Sequence, residues 1–251
     1  MKTSCSKQAY FVRIKNRFMD FQYLEVSQEF KTYLLKSRAF FEKHSEGMLV
    51  ENHYQHNLEP NFWEHMIKQV LSNASSFDGE LGFEFGSGAG RNLVNLLVSA
   101  NFRRVDGIDI SKSNARNSQR FVEEKIGASK TICLEGNGYS CLPFPSGQYA
   151  YAISHQVFIH IPNRKLRLCI LKDLQRILKQ GGCLVIHFKH MHKSVAYESN
   201  YNNFPMNVTV NPSDTELIEQ DFLSAGFSSV TIKEVKNWVD GKLEFFVTAI
   251  K

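Results

Sequence analysis

At 251 residues, with 43% hydrophobic and 22% charged side chains, the chain has room for one large domain and lacks the composition of a disordered or fibrous protein. The formal charge of +5 is modest. Apart from a mildly basic start at Lys2, Lys7, Arg13, Lys15 and Arg17, lysines and arginines are scattered, which speaks against the dense basic stripe of a nucleic-acid binder. The five cysteines (Cys5, Cys133, Cys141, Cys169 and Cys183) form no CxxC pair and no disulfide framework. No run approaches about 18 apolar residues and the start lacks a signal-peptide core, so the expected setting is the reducing cytoplasm, without membrane insertion.

Along the chain, Phe21, Leu24, Phe30, Leu34, Phe40 and Phe41 recur at helical spacing from about Asp20 to Lys43. Phe62, Met66, Val70 and Leu71 mark a second helix after Pro60. The Ser72–Gly79 stretch breaks this pattern, dividing an N-terminal helical extension or cap (1–72) from the rest (73–251). His53, Tyr54 and His56 fall before the second helix, in a lid over a pocket or in a solvent-exposed loop.

Beyond the break, apolar runs alternate with helical patterns. Strands are expected at Leu81–Phe85, Arg104–Ile110, Thr131–Leu134, Ala150–Ser154 and Cys183–Phe188. Helices are expected at Arg91–Ala100, Ser113–Lys125, Lys165–Lys179 and Asp214–Ala225. Such alternation builds a parallel sheet covered by helices on both faces. Ser229–Val235 and Leu243–Ile250, with only a short link between them, should close the sheet as an antiparallel pair.

The segment Gly82-Phe83-Glu84-Phe85-Gly86-Ser87-Gly88-Ala89-Gly90-Arg91 follows the first strand and opens the first helix. Open α/β sheets bind ligands at such turns, and two nucleoside cofactors compete for it. A nicotinamide dinucleotide fingerprint aligned on Gly86 and Gly88 puts Arg91 where a small residue belongs. The run Glu84, Gly86, Gly88, Gly90 instead resembles motif I of the class I, Rossmann-like S-adenosylmethionine-dependent methyltransferases, of the broad UbiE-like, methyltransferase type 11 group. The resemblance implies a doubly wound, seven-stranded, mostly parallel sheet with an antiparallel last strand. It also implies S-adenosylmethionine as cofactor, the Glu84 acid toward its ammonium end and the loop, Ser87 included, along its methionine part.

Asp109, with Ile110 beside it, ends the second strand, where a carboxylate can accept from both ribose hydroxyls. Asp106, of opposite parity, points to the other face. Asn137-Gly138 and Leu142-Pro143-Phe144 look like the family's adenine-side loop, with Asn137 where many relatives carry Asp. The segment Ile153 to Pro162 resembles the fourth-strand motif and brings Ser154 and His155 to the cofactor pocket. His160 matches an acceptor-side histidine of phosphobase methyltransferases and is the candidate general base, with a pH–rate limb expected around pH 6 to 7. Those enzymes carry Asp where this chain has Gln156. Leu171 to Gly182 is similar to the family's "RxLKPGG" helix exit, with Gln180 in place of proline and the Gly181-Gly182 pair expected to end the helix and start the fifth strand. His187, His190 and His192 have no acid or cysteine nearby to complete a metal set. The expected function is methyl transfer to O, N or C of a small molecule. RNA or protein acceptors, or a noncatalytic binding role, stand as alternatives.

Overall fold

The computed structural model describes residues 29–47, 77–189, 194–200, 209–236 and 243–251. The basic start, the second N-terminal helix, the His53–His56 segment, His190 and His192 lie outside the described residues.

Seven strands form one sheet: β1 (Leu81–Phe85), β2 (Arg104–Asp109), β3 (Cys133–Glu135), β4 (Tyr149–His155), β5 (Leu178–Lys189), β8 (Ser229–Lys236) and β9 (Leu243–Ile250). Their order is β3-β2-β1-β4-β5-β9-β8. β9 runs antiparallel to both neighbours and the other sheet pairs are parallel. The short β6 (Ser194–Val195) and β7 (Thr209–Val210) make a separate parallel pair. The helices are α1 (Lys31–Gly47), α2 (Arg91–Ser99), α3 (Lys112–Lys125), α4 (Arg164–Ile177) and α5 (Thr215–Ser224).

β4 is buried throughout, and its alternate side chains feed two cores. Tyr151 and Ile153 meet Leu93, Leu96, Leu97 and Val122 of α2 and α3. Ala152 lies on the opposite side with Leu166, Ile170 and Leu174 of α4 and Ile218 and Phe222 of α5. Three helices start on a side-chain oxygen that accepts the amide three residues on. Ser111 caps α3 through Asn114 N (3.1 Å), Asn163 caps α4 through Leu166 N (3.1 Å) and Asp214 caps α5 through Leu217 N (3.0 Å). α2 instead follows Gly90 and has no side-chain cap.

The exit of α4 departs from expectation. α4 stops at Ile177, and Leu178-Lys179-Gln180 are already extended. The Gly181-Gly182 pair therefore lies inside β5, where the pairing with β4 jumps from Tyr149–Leu178 to Tyr151–Cys183. A Cβ at Gly182 would come within 2.8 Å of the Lys179 carbonyl and 3.2 Å of the Tyr149 carbonyl, so the glycines serve a strand irregularity and not a helix end.

The strand order reverses between β1 and β4, and the carboxyl ends of these strands form the crevice where open α/β sheets take ligands.

Candidate functional site

A cavity of about 300 Å³ occupies that crevice, and Glu84, Gly86, Ser87, Gly88, Asp109, Ile110, Gly138, His155 and His160 all line it. Gly90, Asn137 and Ser154, also expected at the cofactor from the sequence, are not among the residues that line it. Asn137 folds its own turn: its Oδ1 accepts from Tyr139 N (3.0 Å) and Ser140 N (2.8 Å), and its Nδ2 donates to Ser140 Oγ. Ser154, fully buried in β4, donates its hydroxyl to the Phe85 carbonyl at 2.8 Å. Gly90 packs on α3, where a Cβ would approach Ser118 Cα to 2.9 Å.

Glu84 is 1% exposed. Its Oε1 accepts from Asn92 Nδ2 at 2.7 Å, while Oε2 has no partner among the described residues. Burial pushes the Glu84 carboxyl up to about 8, with Asn92 and the Arg91 charge pulling the other way. An unpaired buried oxygen of this kind is costly. Asp109 is differently placed. Its Oδ2 accepts from Gly88 N and its Oδ1 from Ser111 N, both at 2.8 Å, with Asn114 Nδ2 at 3.3 Å. Burial raises its pKa against those donors. Asp106 is turned away to the Tyr149 hydroxyl, Arg104 and Ile132 N.

Helix α1 forms one wall through two adjacent rows of residues four apart. Tyr33, Ser37 and Phe41 line the cavity. The Tyr33 hydroxyl donates to the His160 carbonyl at 2.6 Å, and the Phe41 ring meets the His160 ring edge-on at 5.7 Å. The second row is Leu34, Arg38 and Glu42. Arg38 donates to the carbonyls of Ile110 (3.3 Å) and Gly136 (3.1 Å), tying the ends of β2 and β3. Glu42 accepts from Ser111 Oγ at 2.6 Å, from Ser113 Oγ and from Ser113 N at 3.2 Å. The Ser111 and Ser113 hydroxyls hold the Glu42 carboxyl down at about 2, and its charge sits at the positive end of the α3 dipole. Sequence reading named Leu34 and Phe41 of these rows and missed Tyr33, Ser37, Arg38 and Glu42, although their four-residue spacing was visible.

His160 closes a single 3₁₀ turn (Phe158–His160) after β4. Its Nδ1 is shut in the wall without a partner among the described residues, which leaves Nε2 as the nitrogen open to a ligand. Burial lowers its pKa to about 4, so the ring is neutral near pH 7 and the limb expected at pH 6 to 7 moves down accordingly. Gln156, another lining residue, holds φ at +58°, a strained backbone for a residue with a Cβ and one that clusters at functional sites. His155 stacks on His187 with centroids 4.4 Å apart. His187 Nε2 lies 3.2 Å from Glu244 Oε2, so it belongs to a buried polar pair.

A protein-family model described as a methyltransferase domain matches residues 83–186. No curated protein sequence matches the chain. A solved S-adenosylmethionine-dependent methyltransferase from Aquifex aeolicus is 20% identical, with a TM-score of 0.54 over 79% of this chain and 97% of that one. Phosphoethanolamine N-methyltransferase 2 of Haemonchus contortus, solved with phosphomonomethylethanolamine and S-adenosylhomocysteine, is 14% identical, with a TM-score of 0.55 over 76% of this chain and 53% of that one. The chain thus spans about half the length of the Haemonchus protein. The cyclase SpnF shares the architecture at 13% identity, with a TM-score of 0.58 over 74% of this chain and 80% of that one. At such identities the structural likeness establishes the fold alone. Residues 83–186 thus match a methyltransferase domain, and the sheet that carries them has the fold of solved S-adenosylmethionine-dependent methyltransferases.

Proposed function

We propose that the cavity holds S-adenosylmethionine along the ends of β1 and β2 and that the enzyme methylates O, N or C of a small molecule lying between α1 and His160. The observation that carries this reading is the wall of α1. Tyr33, Ser37 and Phe41 stand over the crevice beside His160, giving the acceptor a walled pocket in place of an open groove for a polymer. The unpaired Glu84 Oε2 suits an ammonium group, and Asp109 suits a ribose diol. At Gly88 an added Cβ would meet nothing within 4 Å, leaving room for a ligand along the loop.

When bound, S-adenosylmethionine supplies a methyl carbon already activated by a sulfonium. The residues of this chain then align the acceptor and exclude water. Phe41, Val157 and Ile161 give apolar walls. His160 takes the proton of a hydroxyl or ammonium acceptor at Nε2, with its own hydrogen kept on Nδ1.

Asp109→Asn should weaken S-adenosylhomocysteine binding about tenfold to hundredfold, as expected for losing charge-assisted bonds worth roughly 1.5–3 kcal/mol. Titration calorimetry measures it, and an unchanged affinity would reduce Asp109 to a support for Gly88 and Ser111. The acceptor class is tested by methyl transfer from labelled cofactor to metabolite pools, RNA and protein. Label confined to small molecules supports the reading, and label in RNA or protein overturns it.

A further inference from the structure

The charged residues that line the cavity, Glu84, Arg91 and Asp109, stand on β1, α2 and β2. Around His160 the lining is Tyr33, Ser37, Phe41, Gln156, Val157 and Ile161, and among the described residues this part of the wall brings no carboxylate. Arg38 and Glu42 of α1 are engaged with β2, β3 and the start of α3. His160 reflects the same lack of charge, because burial lowers its pKa without a contribution from a charged neighbour.

One buried cation lies behind this uncharged wall. Arg167 of α4 is fully buried. Its Nη1 donates at 2.5 Å to the carbonyl of Ile161, the lining residue next to His160. Its Nη2 donates to the Tyr197 carbonyl, and the guanidinium lies 4.3 Å from the centre of the Tyr197 ring. The acid whose charge acts on it, Asp221 of α5, is already gripped by Arg164 through Nη2 at 2.6 Å and Nε at 3.0 Å. Two guanidiniums therefore share one carboxylate, and the surplus charge is positive. Its influence reaches the cavity wall. Burial raises the Tyr33 pKa, while Ser37 and the Arg167 charge pull it back, and the Tyr33 hydroxyl holds the His160 carbonyl at 2.6 Å. A guanidinium stays protonated at any working pH, so this field is permanent.

A positive field without an acid sorts acceptors by charge. An amine arrives as an ammonium and is cationic again after methylation, so it would be buried near a like charge with no counterion. A carboxylate or phosphate would shed its water against a wall where the donors of Arg167 are spent on carbonyls. A hydroxyl enters neutral and gains negative charge only as its proton leaves, which is when the field acts on it. We propose that the acceptor is an uncharged, largely apolar molecule methylated at a hydroxyl oxygen, and that buried Arg167 favours the negative charge growing on that oxygen as His160 takes its proton. The oxygen forms the new bond to the methyl carbon. The carbon–sulfur bond breaks with its electron pair staying on sulfur, and the hydroxyl proton moves to His160 Nε2. The acceptor leaves as a neutral methyl ether.

The assignment rests on the proposed small-molecule methyl transfer, and the test separates the two. The full chain and labelled S-adenosylmethionine are incubated with a metabolite extract split at neutral pH into a cation-exchanged pool, an anion-exchanged pool and a pool that neither resin retains. The neutral pool should take up at least about tenfold more label than either ionic pool, and hydriodic acid should release that label as methyl iodide, as it does from a methyl ether. Label mainly in an ionic pool, or label that hydriodic acid leaves on nitrogen or carbon, overturns the assignment while small-molecule methyl transfer stands. Transfer into none of the pools overturns both. Arg167→Met should lower the rate at saturating neutral pool about tenfold, less than for a donor in direct contact, with S-adenosylhomocysteine affinity unchanged. Arg167→Lys keeps the charge without the planar fork and should recover most of that loss. Equal losses in the two variants would make Arg167 only a strut between Ile161 and Tyr197 and overturn its part in the reaction. Should Arg167→Met fail to fold, the pool chosen by the native protein still decides the acceptor class.

Discussion

His160→Ala should lower turnover about a hundredfold and leave S-adenosylhomocysteine affinity within a few-fold of the native value. General acid–base catalysis is typically worth 10²–10⁴-fold. The low end applies because a base buried to a pKa of about 4 takes a proton with less driving force than one poised near 7. The neutral ring is the active form, so kcat/KM should fall as pH drops through about 4, and that limb should be missing in the variant. A limb at pH 6 to 7 would mean that the ring is more hydrated than its shut-in Nδ1 shows. Turnover unaffected by the substitution would mean that alignment alone carries the reaction. A matching loss of cofactor affinity would make His160 part of the cofactor wall.

Gly86→Ala should abolish measurable cofactor binding and lower stability by roughly 1–3 kcal/mol. Gly86 holds φ at +79°, and a Cβ there would stand 2.2 Å from Val157 Cγ2. Both the loop and the segment leading to His160 would have to shift, because Gly86 N and Ser87 N are fixed on the Ile108 carbonyl at 2.8 and 3.1 Å. Gly88→Ala is the informative contrast. Its added Cβ meets nothing within 4 Å, so the protein should lose no more than about 1–2 kcal/mol from the positive φ. Ligand affinity should nevertheless fall, because the methyl enters space the ligand needs. Thermal unfolding and calorimetry on the same samples separate the two effects. Equal affinities for Gly88→Ala and the native protein would place the ligand away from the loop.

The sheet was legible because its strands are apolar runs bounded by helix caps and glycines. Leu81–Phe85 was read to the residue, and β3 slid from Thr131–Leu134 to Cys133–Glu135, since only three of its residues pair with β2. The Glu84–Gly90 run pointed to the crevice at the end of β1, where Glu84, Gly86 and Gly88 line the cavity. Three kinds of information were beyond a linear reading. Whether a polar side chain such as Asn137 or Ser154 serves a ligand or its own backbone depends on local geometry. The partners of Arg38 and Glu42 lie some seventy residues or more away in sequence. The titration of His160 is set by a wall to which α1 contributes Tyr33 and Phe41. Helical spacing did mark Phe30 and Leu34, which are buried, but the fastening of α1 to the start of α3 is carried by Glu42, two turns further on.

The most direct test of the account is titration of S-adenosylhomocysteine into the purified chain, run beside NAD and NADP under the same conditions. One saturable site for S-adenosylhomocysteine and no heat from either dinucleotide is the predicted result. Dinucleotide binding without S-adenosylhomocysteine binding would contradict it.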